Sequence, residues 1–208
     1  MSRRPLTTTS FAVLGLLAIR PWATYDLAKL MRRSLHFFWP RAESNLYAEP
    51  KRLVTAGLAE AREEWNGDRR RTVYSITDQG RETLREWLAT PPAAARVESE
   101  AQLRLLYANY GSKHDLLGTI ESIEHEAQET IDHYVQLGTE YARGEGLFPD
   151  RIHVNALVAS FSIEQARAAV RWARSTRRAV EAWETTERPD VEWAAKTLMD
   201  AAREPQDD

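Results

Sequence analysis

The chain has 208 residues, of which 43% are apolar and 28% are charged, and it contains no cysteine. This length suits one large domain or two small ones, and the charged fraction excludes a disordered acidic or basic chain. The lack of cysteine excludes disulfides, thiolate metal sites and cysteine nucleophiles. No apolar run approaches the ~18 residues that cross a bilayer, and the N-terminus lacks the pattern of a signal peptide. We therefore expect a soluble, cytoplasmic protein with no membrane partner.

The net charge of −3 hides an uneven distribution along the chain. Residues 1–90 hold 15 Lys and Arg against 10 Asp and Glu, a net charge of +5. Residues 91–208 hold 13 against 21, a net charge of −8. A nucleic-acid-binding module joined to a non-binding module would have this charge distribution. Compositional drift between two domains gives the same pattern, so charge alone leaves both interpretations open.

The first 90 residues predict three helices, a hairpin and a fourth helix. Apolar residues at helical spacing place the first three helices at about residues 9–19, 24–33 and 43–56. Asn66-Gly67 then lies between two segments of strand character, and this dipeptide favours a tight hairpin turn because both residues tolerate positive φ. Thr77-Asp78 can cap the fourth helix. The order predicts a winged helix-turn-helix domain over residues 1–90.

The second half predicts helices throughout. Pro91-Pro92 ends one helical pattern before another begins, so we expect a linker over residues 91–97 and a helical domain over 98–208. Ser112 precedes Asp115 by three residues, which indicates a capping box at the start of a long helix. The fold class is therefore mainly α with a small β-hairpin wing, followed by an all-helical domain.

Apolar residues recur every three or four positions along both long helices of this second domain. Such a pattern indicates a helix–helix interface, either between two subunits or within one chain. Both interpretations stay open. The candidate dimerisation residues are Leu116, Ile120, Ile123, Ala127, Ile131, Ile163 and Val170.

Candidate DNA contacts come from the geometry of a winged helix-turn-helix, in which the third helix lies in the major groove. The outward set of that helix is predicted to be Glu43, Ser44, Asn45, Glu49, Lys51 and Arg52. Asn can bond adenine, and Arg or Lys can reach guanine or phosphate. Three arginines beside the hairpin turn would repel one another without an anion such as phosphate. The candidate DNA-binding residues are Thr24, Tyr25, Ser44, Asn45, Tyr47, Lys51, Arg52, Arg69, Arg70 and Arg71.

Enzyme chemistry finds little support in the sequence. It contains no glycine-rich phosphate loop and no nucleophile elbow, so we predict no catalytic residue and no cofactor. Glu121 and Glu129 each precede a histidine, His125 and His133, by one helical turn. A metal-dependent enzyme is thus a rival, but a solvated acidic helix face explains the spacing equally well and we assign no metal ligand. Seven tryptophans could also hold a flat aromatic effector by stacking.

Several motifs together identify a family resemblance. They are Phe11-Ala12-Val13-Leu14-Gly15-Leu16-Leu17-Ala18, Thr24-Tyr25-Asp26-Leu27, Phe38-Trp39, Ser44-Asn45-Leu46-Tyr47, Gly57-Leu58, Val73-Tyr74-Ser75-Ile76-Thr77 and Gly80. In order and spacing they resemble the N-terminal domain of PadR-family transcriptional regulators, over about residues 8–89. The second half resembles the longer-tailed branch of that family, in which a helical domain builds the dimer. The resemblance implies a homodimeric repressor that binds a two-fold operator in double-stranded DNA and is sometimes released by a small, often aromatic, molecule.

Two departures from the family pattern affect the third helix and the motif before it. Thr24 stands where the family usually has Gly, and Ala48 stands where a Pro is common, with Pro50 two residues later. Pro50 has no N–H for the carbonyl of Leu46, so we expect either a kinked helix or one that begins near Ala48. The alternative function is a winged-helix module that binds protein and not DNA.

Overall fold

The computed structural model describes residues 5–34, 43–95, 97–187 and 190–201. The chain divides into two compact units, Met1–Ala95 and Arg96–Asp208, each held together by its own internal contacts. Among the helices of the described ranges, none is both long and apolar enough to cross a membrane.

The N-terminal unit has four helices and a three-stranded antiparallel sheet. The helices are α1 (Thr8–Ile19), α2 (Thr24–Ser34), α3 (Glu43–Thr55) and α4 (Asp78–Leu88), and the strands are β1 (Trp22–Ala23), β2 (Ala59–Asn66) and β3 (Arg69–Ile76). The strand order is β1-β3-β2, with Trp22 opposite Tyr74 and Ala59 opposite Ile76. The predicted winged helix-turn-helix is confirmed. The sequence did not predict β1, because two residues are too few to have a recognisable period.

The hairpin between β2 and β3 turns through a two-residue loop, Gly67-Asp68. Gly67 has a φ of 61°, and no described non-glycine residue has a positive φ. Glycine first with an ordinary second residue is the pattern of a type II′ turn, which matches the twist of the flanking strands. The turn therefore forms one residue later than the Asn-Gly dipeptide predicted, and Asn66 ends β2.

The core of this unit forms around α1. Val13, Leu14 and Leu17 are essentially fully buried, and α1 packs against α3, α4 and β3. A helix that is apolar on most sides has to be covered on most sides. The indole N–H of Trp22 donates to the carbonyl of Leu16 at 2.9 Å, which satisfies the polar atom of a buried ring.

The start of α4 approaches the segment after α3 so closely that position 80 has no room for a side chain. The Thr77 hydroxyl accepts from the Gly80 N–H at 3.1 Å and donates to the Gly57 carbonyl at 2.8 Å. A Cβ on Gly80 would overlap the carbonyl oxygen of Leu58 and lie 2.8 Å from Cγ1 of Ile76. Gly80 thus permits α4 to close over the end of the sheet.

The C-terminal unit is helical. It contains α5 (Glu100–Leu106), α6 (Lys113–Ala142), α7 (Ile152–Glu181) and α8 (Val191–Ala201), with short 3-10 turns at Ala108–Tyr110 and Pro149–Arg151. The predicted capping box is confirmed, since Ser112 Oγ accepts from the Asp115 N–H and Asp115 Oδ2 accepts from the Ser112 N–H. Hydrogen bonds from the Ser112 side chain and backbone hold the pKa of Asp115 below its usual value.

Two long antiparallel helices, α6 and α7, form the body of this unit. At one end Lys113 Nζ donates to the carbonyls of Glu181 and Trp183, both at 2.7 Å. At the other end Asn155 Nδ2 donates to the Tyr141 hydroxyl at 3.0 Å. A cation on the free carbonyls at the C-terminus of α7 also complements the helix dipole.

Five of the seven residues predicted as a dimer seam contribute to packing between α6 and α7 of one chain. Leu116 and Ile120 are buried in a cluster with Ala173 and Val180, and Ala127 is buried with Ala166 and Val170. The remaining members, Ile123, Ile131 and Ile163, are half-buried. Of the two interpretations that the periodicity left open, the structure therefore favours packing within one chain. Small alanine side chains permit this close approach of the two helices.

An ionic contact joins the middle of α6 to the end of α7. The Arg174 Nε donates to Glu124 Oε1 at 2.7 Å, and the Arg177 guanidinium bonds the other oxygen of the same carboxylate. The hydrogen bond from Arg174 and the charges of both arginines lower the pKa of Glu124, despite the opposing effect of partial desolvation. The ionised form of Glu124 is thus favoured in the folded state.

Gly80→Ala should lower the free energy of unfolding of the N-terminal unit by about 1–3 kcal/mol, because the added methyl group overlaps backbone and core atoms. Gly15→Ala is the matched control: a Cβ there meets no atom within 4 Å, and alanine favours a helix by up to about 1 kcal/mol. Urea unfolding followed by circular dichroism compares the two. Equal stability of both variants would contradict the close approach at Gly80.

Glu124→Gln should destabilise the protein at neutral pH and have progressively less effect in acid. The folded pKa is lowered, so the ionised carboxylate stabilises the fold above its ordinary pKa of 4.5, and this contribution is lost as the pH falls through the folded pKa. Unfolding free energies of wild type and variant from pH 7 to pH 3 test this convergence. Glu164→Gln, which removes an exposed pair with Arg167, should differ little from wild type at any pH.

Candidate nucleic-acid interface

The helix-turn-helix consists of α2 and α3, and α2 begins with two of the predicted DNA-binding residues. Thr24 and Tyr25 are its first two residues, directly after β1, and the Tyr25 side chain is 63% exposed. The first N–H groups of a helix have no acceptor within the helix, so they can bind an anion. The position of both residues suits a contact with a backbone phosphate.

Helix α3 runs continuously from Glu43 to Thr55 and includes Pro50. The alternative that it begins near Ala48 is therefore wrong. Pro50 is fully buried and leaves the backbone carbonyl of residue 46 without the N–H that normally bonds it. Ser44 and Asn45 lie in the first turn of α3, and their side chains are outside the described part of the structure.

The remaining α3 candidates differ in their availability. Tyr47 and Lys51 are exposed. Arg52 is only partly exposed, and its guanidinium has two partners within the protein: Nη1 bonds Glu49 Oε2 at 2.8 Å, and Nη2 donates to the Pro5 carbonyl at 3.3 Å. Tyr47 and Lys51 are thus open to a ligand, whereas Arg52 is held by its own chain.

The prediction that Glu49 faces outward is wrong. This side chain is 4% exposed, and Ser10 Oγ donates to its Oε1 at 2.5 Å. Glu49 precedes the fully buried Leu53 by four residues, which puts both on the face of α3 that packs against α1. Helical periodicity alone does not indicate that Glu49 is buried, because its partner Ser10 is 39 residues away in the sequence.

The wing, which is the hairpin of β2 and β3, carries its own counter-charges. Arg70 bonds Glu63 at 3.0 Å and Arg71 bonds Glu64 at 3.3 Å, all four side chains being exposed or half-exposed. The side chain of Arg69 is outside the described part of the structure. Arg70 and Arg71 therefore need no external anion in the free protein, because β2 already supplies two carboxylates.

Trp65 is a feature of the wing that the sequence analysis did not single out. It lies opposite Arg70 in the β2–β3 register, one residue before the end of β2, and its side chain is 70% exposed. The guanidinium carbon of Arg70 lies 5.9 Å from the centre of the Trp65 ring, within the range of a cation–π contact. The wing thus presents an aromatic side chain next to its basic ones.

The histidines predicted as a rival metal site lie on α6. Among the described residues no three His, Asp or Glu side chains are grouped as a metal site requires, and His125 pairs with Glu129 at 3.5 Å.

Three of the tryptophans predicted as an effector surface contact other aromatic rings. Trp183 meets Trp193 edge to face with ring centres 5.1 Å apart, and Trp87 stacks on Phe11. These four rings contact aromatic partners in their own unit.

The C-terminal unit contains an open cavity of about 490 Å³ between α5 and the start of α6. Its lining includes Leu103, Tyr107 and Tyr110, with Arg104 and Asp115 as charged members, and has no tryptophan among the described residues. The aromatic side chains of this cavity are therefore tyrosines, whereas the sequence predicted that tryptophans would hold an aromatic effector.

Residues 13–86, which span α1 to α4, match the model of the transcriptional regulator PadR-like family. This segment of the chain is therefore a PadR-like domain. The chain is 28% identical over 107 residues to the negative transcriptional regulator PadR of Bacillus subtilis (strain 168), and this match covers 50% of the chain and 59% of that protein. The PadR-like family is a class of transcriptional regulators and not of enzymes.

Two solved structures of Bacillus subtilis PadR have a similar fold. The structure in complex with operator DNA has a TM-score of 0.69 and 23% identity, and covers 84% of this chain and 99% of its own. The structure in complex with p-coumaric acid has a TM-score of 0.66 and 22% identity with the same coverage. The similarity therefore extends beyond the PadR-like domain to the helical unit.

Proposed function

We propose that this chain is a homodimeric transcriptional repressor that binds double-stranded operator DNA in the cytoplasm. The observation that carries the proposal is a hairpin with three consecutive arginines, Arg69 to Arg71, together with an exposed face of α3 in a PadR-like domain. The relative from Bacillus subtilis is a negative regulator, and a structure of PadR from that organism contains operator DNA. We assign the chain no catalytic step and no cofactor.

Base recognition is assigned to one face of α3. Positions 44, 47 and 51 are three and four residues apart, so they share one face of the helix. Tyr47 and Lys51 are exposed there, while the opposite face, with Leu53, is buried. We propose that this face enters the major groove. Ser44 on this face and Asn45 at its edge contribute base contacts, and Thr24 and Tyr25 contact phosphates.

Phosphate binding is assigned to the wing, with Arg69, Arg70 and Arg71 as the cations. In the free protein Arg70 and Arg71 are paired with Glu63 and Glu64. Exposed ion pairs contribute only about 0–1 kcal/mol, so a phosphate can displace the carboxylates with little loss. DNA binding would then exchange one set of ion pairs for another, and the released counterions would favour association.

Arg70→Ala should weaken binding to all DNA sequences by a similar factor and reduce the slope of log affinity against log salt by about 1. Glu63→Gln should act in the opposite direction and tighten binding a few-fold at low salt, since it frees Arg70 from its partner. Fluorescence anisotropy with specific and random fragments over a salt series measures both. Arg167→Ala, which removes an exposed arginine of α7, is the charge control. An unchanged salt slope in Arg70→Ala would contradict the role of the wing.

The dimer is proposed to form through the exposed side of α7. Val154, Leu157, Val158 and Phe161 follow one another at helical spacing on the first half of α7, and all four are exposed. The residues of α7 that face α6, such as Ala166 and Val170, lie on another face and are already buried. A contiguous exposed apolar face of this kind is typical of an interface between subunits. In the dimer the two copies of α3 must reach major grooves about 34 Å apart.

Phe161→Glu should convert the dimer to a monomer at micromolar concentration, because it would bury a charge in each half of a two-fold interface. Sedimentation velocity measures the assembly state. Val191→Glu is the matched control: it also replaces an exposed apolar residue by Glu, but at the first position of α8. A Phe161→Glu protein that remains dimeric would move the interface to another surface.

Release of the repressor is assigned to a small aromatic effector. The support is that a PadR structure from Bacillus subtilis contains p-coumaric acid. An effector can switch DNA binding only if it binds one dimer geometry more tightly than another. Planar aromatic acids, p-coumaric acid first, should dissociate a preformed protein–DNA complex. A complex that is stable to all of them would remove the effector from the proposal.

The proposed function is tested by a mobility shift with the DNA upstream of the protein's own coding region, titrated from low to moderate salt. A complex that survives excess nonspecific DNA is expected, with a footprint that has two half-sites. If that fragment fails, selection from random sequences widens the search to distant operators. Failure of both would overturn DNA recognition and favour a protein-binding module.

A further inference from the structure

A buried carboxylate lies at the middle of α3. Glu49 is 4% exposed, and Ser10 of α1, which donates to its Oε1 at 2.5 Å, is fully buried. The second carboxylate oxygen, Oε2, accepts from Arg52 Nη1 at 2.8 Å. Both oxygens of the carboxylate therefore have a partner, one on α1 and one on α3 itself.

The same network includes the segment that leads into α1. Ser10 Oγ gives its single proton to Glu49 and accepts from the Thr7 N–H at 2.9 Å. Arg52 Nη2 donates to the Pro5 carbonyl at 3.3 Å. Glu49 thus connects α3 to the capping box of α1, and Arg52 connects α3 to the residues before it.

The network spans the point at which α3 is weakest. Pro50 follows Glu49 directly and removes a backbone hydrogen bond from the middle of the helix. Helices bend most readily where this ladder is interrupted. Glu49 holds the helix before the interruption and Arg52 holds it after, so the network fixes the two halves relative to each other and to α1.

An ion pair with a buried carboxylate, such as Glu49–Arg52, contributes little to stability. Desolvation of the charges offsets most of the attraction, and apolar residues of similar volume often stabilise a fold as well or better. A buried polar network does specify one arrangement, because each alternative leaves a charged group without its partner. The chemistry of the network therefore suits orientation of α3 better than stabilisation of the core.

We propose that Ser10, Glu49 and Arg52 form a positioning network that sets the angle of the N-terminal half of α3, residues 43–49. The network would thus determine sequence discrimination without contact between Glu49 and DNA. The inference rests on the proposed function, since it concerns how α3 reads DNA. Arg52 acts in it as a positioning residue through Glu49. Loss of the network leaves the wing arginines unchanged, so it reduces binding to the operator while binding to random DNA persists.

The experiment compares full-length wild type with Ser10→Ala and Glu49→Gln. Ser75→Ala is the matched control, because it removes a serine hydroxyl that donates to a glutamate, Glu60, at 3.1 Å on the exposed surface of the sheet. Anisotropy gives the Kd for the selected operator and for a random fragment. Hydrogen–deuterium exchange gives the protection of the backbone amides of residues 47–49, which have acceptors in the first turn of α3. Circular dichroism and urea unfolding monitor the fold.

Both variants should lose affinity for the operator on the order of tenfold, the scale of one hydrogen bond to a charged group, and lose little affinity for random DNA. Amides of residues 47–49 should exchange faster, and the control should match wild type in every measurement. Should Ser10→Ala fail to fold, the nearly isosteric Glu49→Gln carries the test. Equal losses on both DNAs, or reduced stability with an unchanged ratio, would overturn the positioning role. Wild type without operator preference would instead overturn the proposed function.

Discussion

Burial of α1 is the interaction on which the N-terminal unit depends. Its apolar residues, among them Val13, Leu14 and Leu17, contact α3, α4 and β3. Each fully buried side chain of this kind contributes about 1.5–3 kcal/mol, which makes α1 a main source of stability for so small a unit. α3 and the wing are the two elements assigned to DNA contact, and α1 positions both of them. It packs directly against α3 and against β3, which forms one strand of the wing.

The same helix explains why a carboxylate can be buried beside an apolar core. Ser10 lies in the first turn of α1, where its hydroxyl takes part in the cap and also reaches Glu49 of α3. The charge is compensated by Arg52, whose partly exposed guanidinium keeps contact with water. Through this contact α3 is hydrogen-bonded to α1, the most apolar helix of the unit. The orientation of α3 therefore depends on how α1 is packed.

Charge is balanced differently in the wing. Arg70 and Arg71 pair with carboxylates of the neighbouring strand at the surface, where water screens the attraction. The free wing therefore has a weaker field than its three arginines suggest, and a nucleic acid has to compete with carboxylates already present. The ion pair with a buried carboxylate thus fixes a helix, whereas the exposed pairs of the same residue types remain exchangeable.

Features that depend on residues close together in the sequence could be predicted from it. Helix order, the hairpin around Gly67, the capping box of Ser112 and Asp115, and the family motifs all follow from residues within a few positions of one another. Other features depend on contacts between distant segments. They are the burial of Glu49, whose partner is 39 residues away, the pairing of the wing arginines across two strands, and the packing of Leu116 and Val170 within one chain. Periodicity along a helix specifies which of its faces is apolar, but the fold of the whole chain determines which segment covers that face.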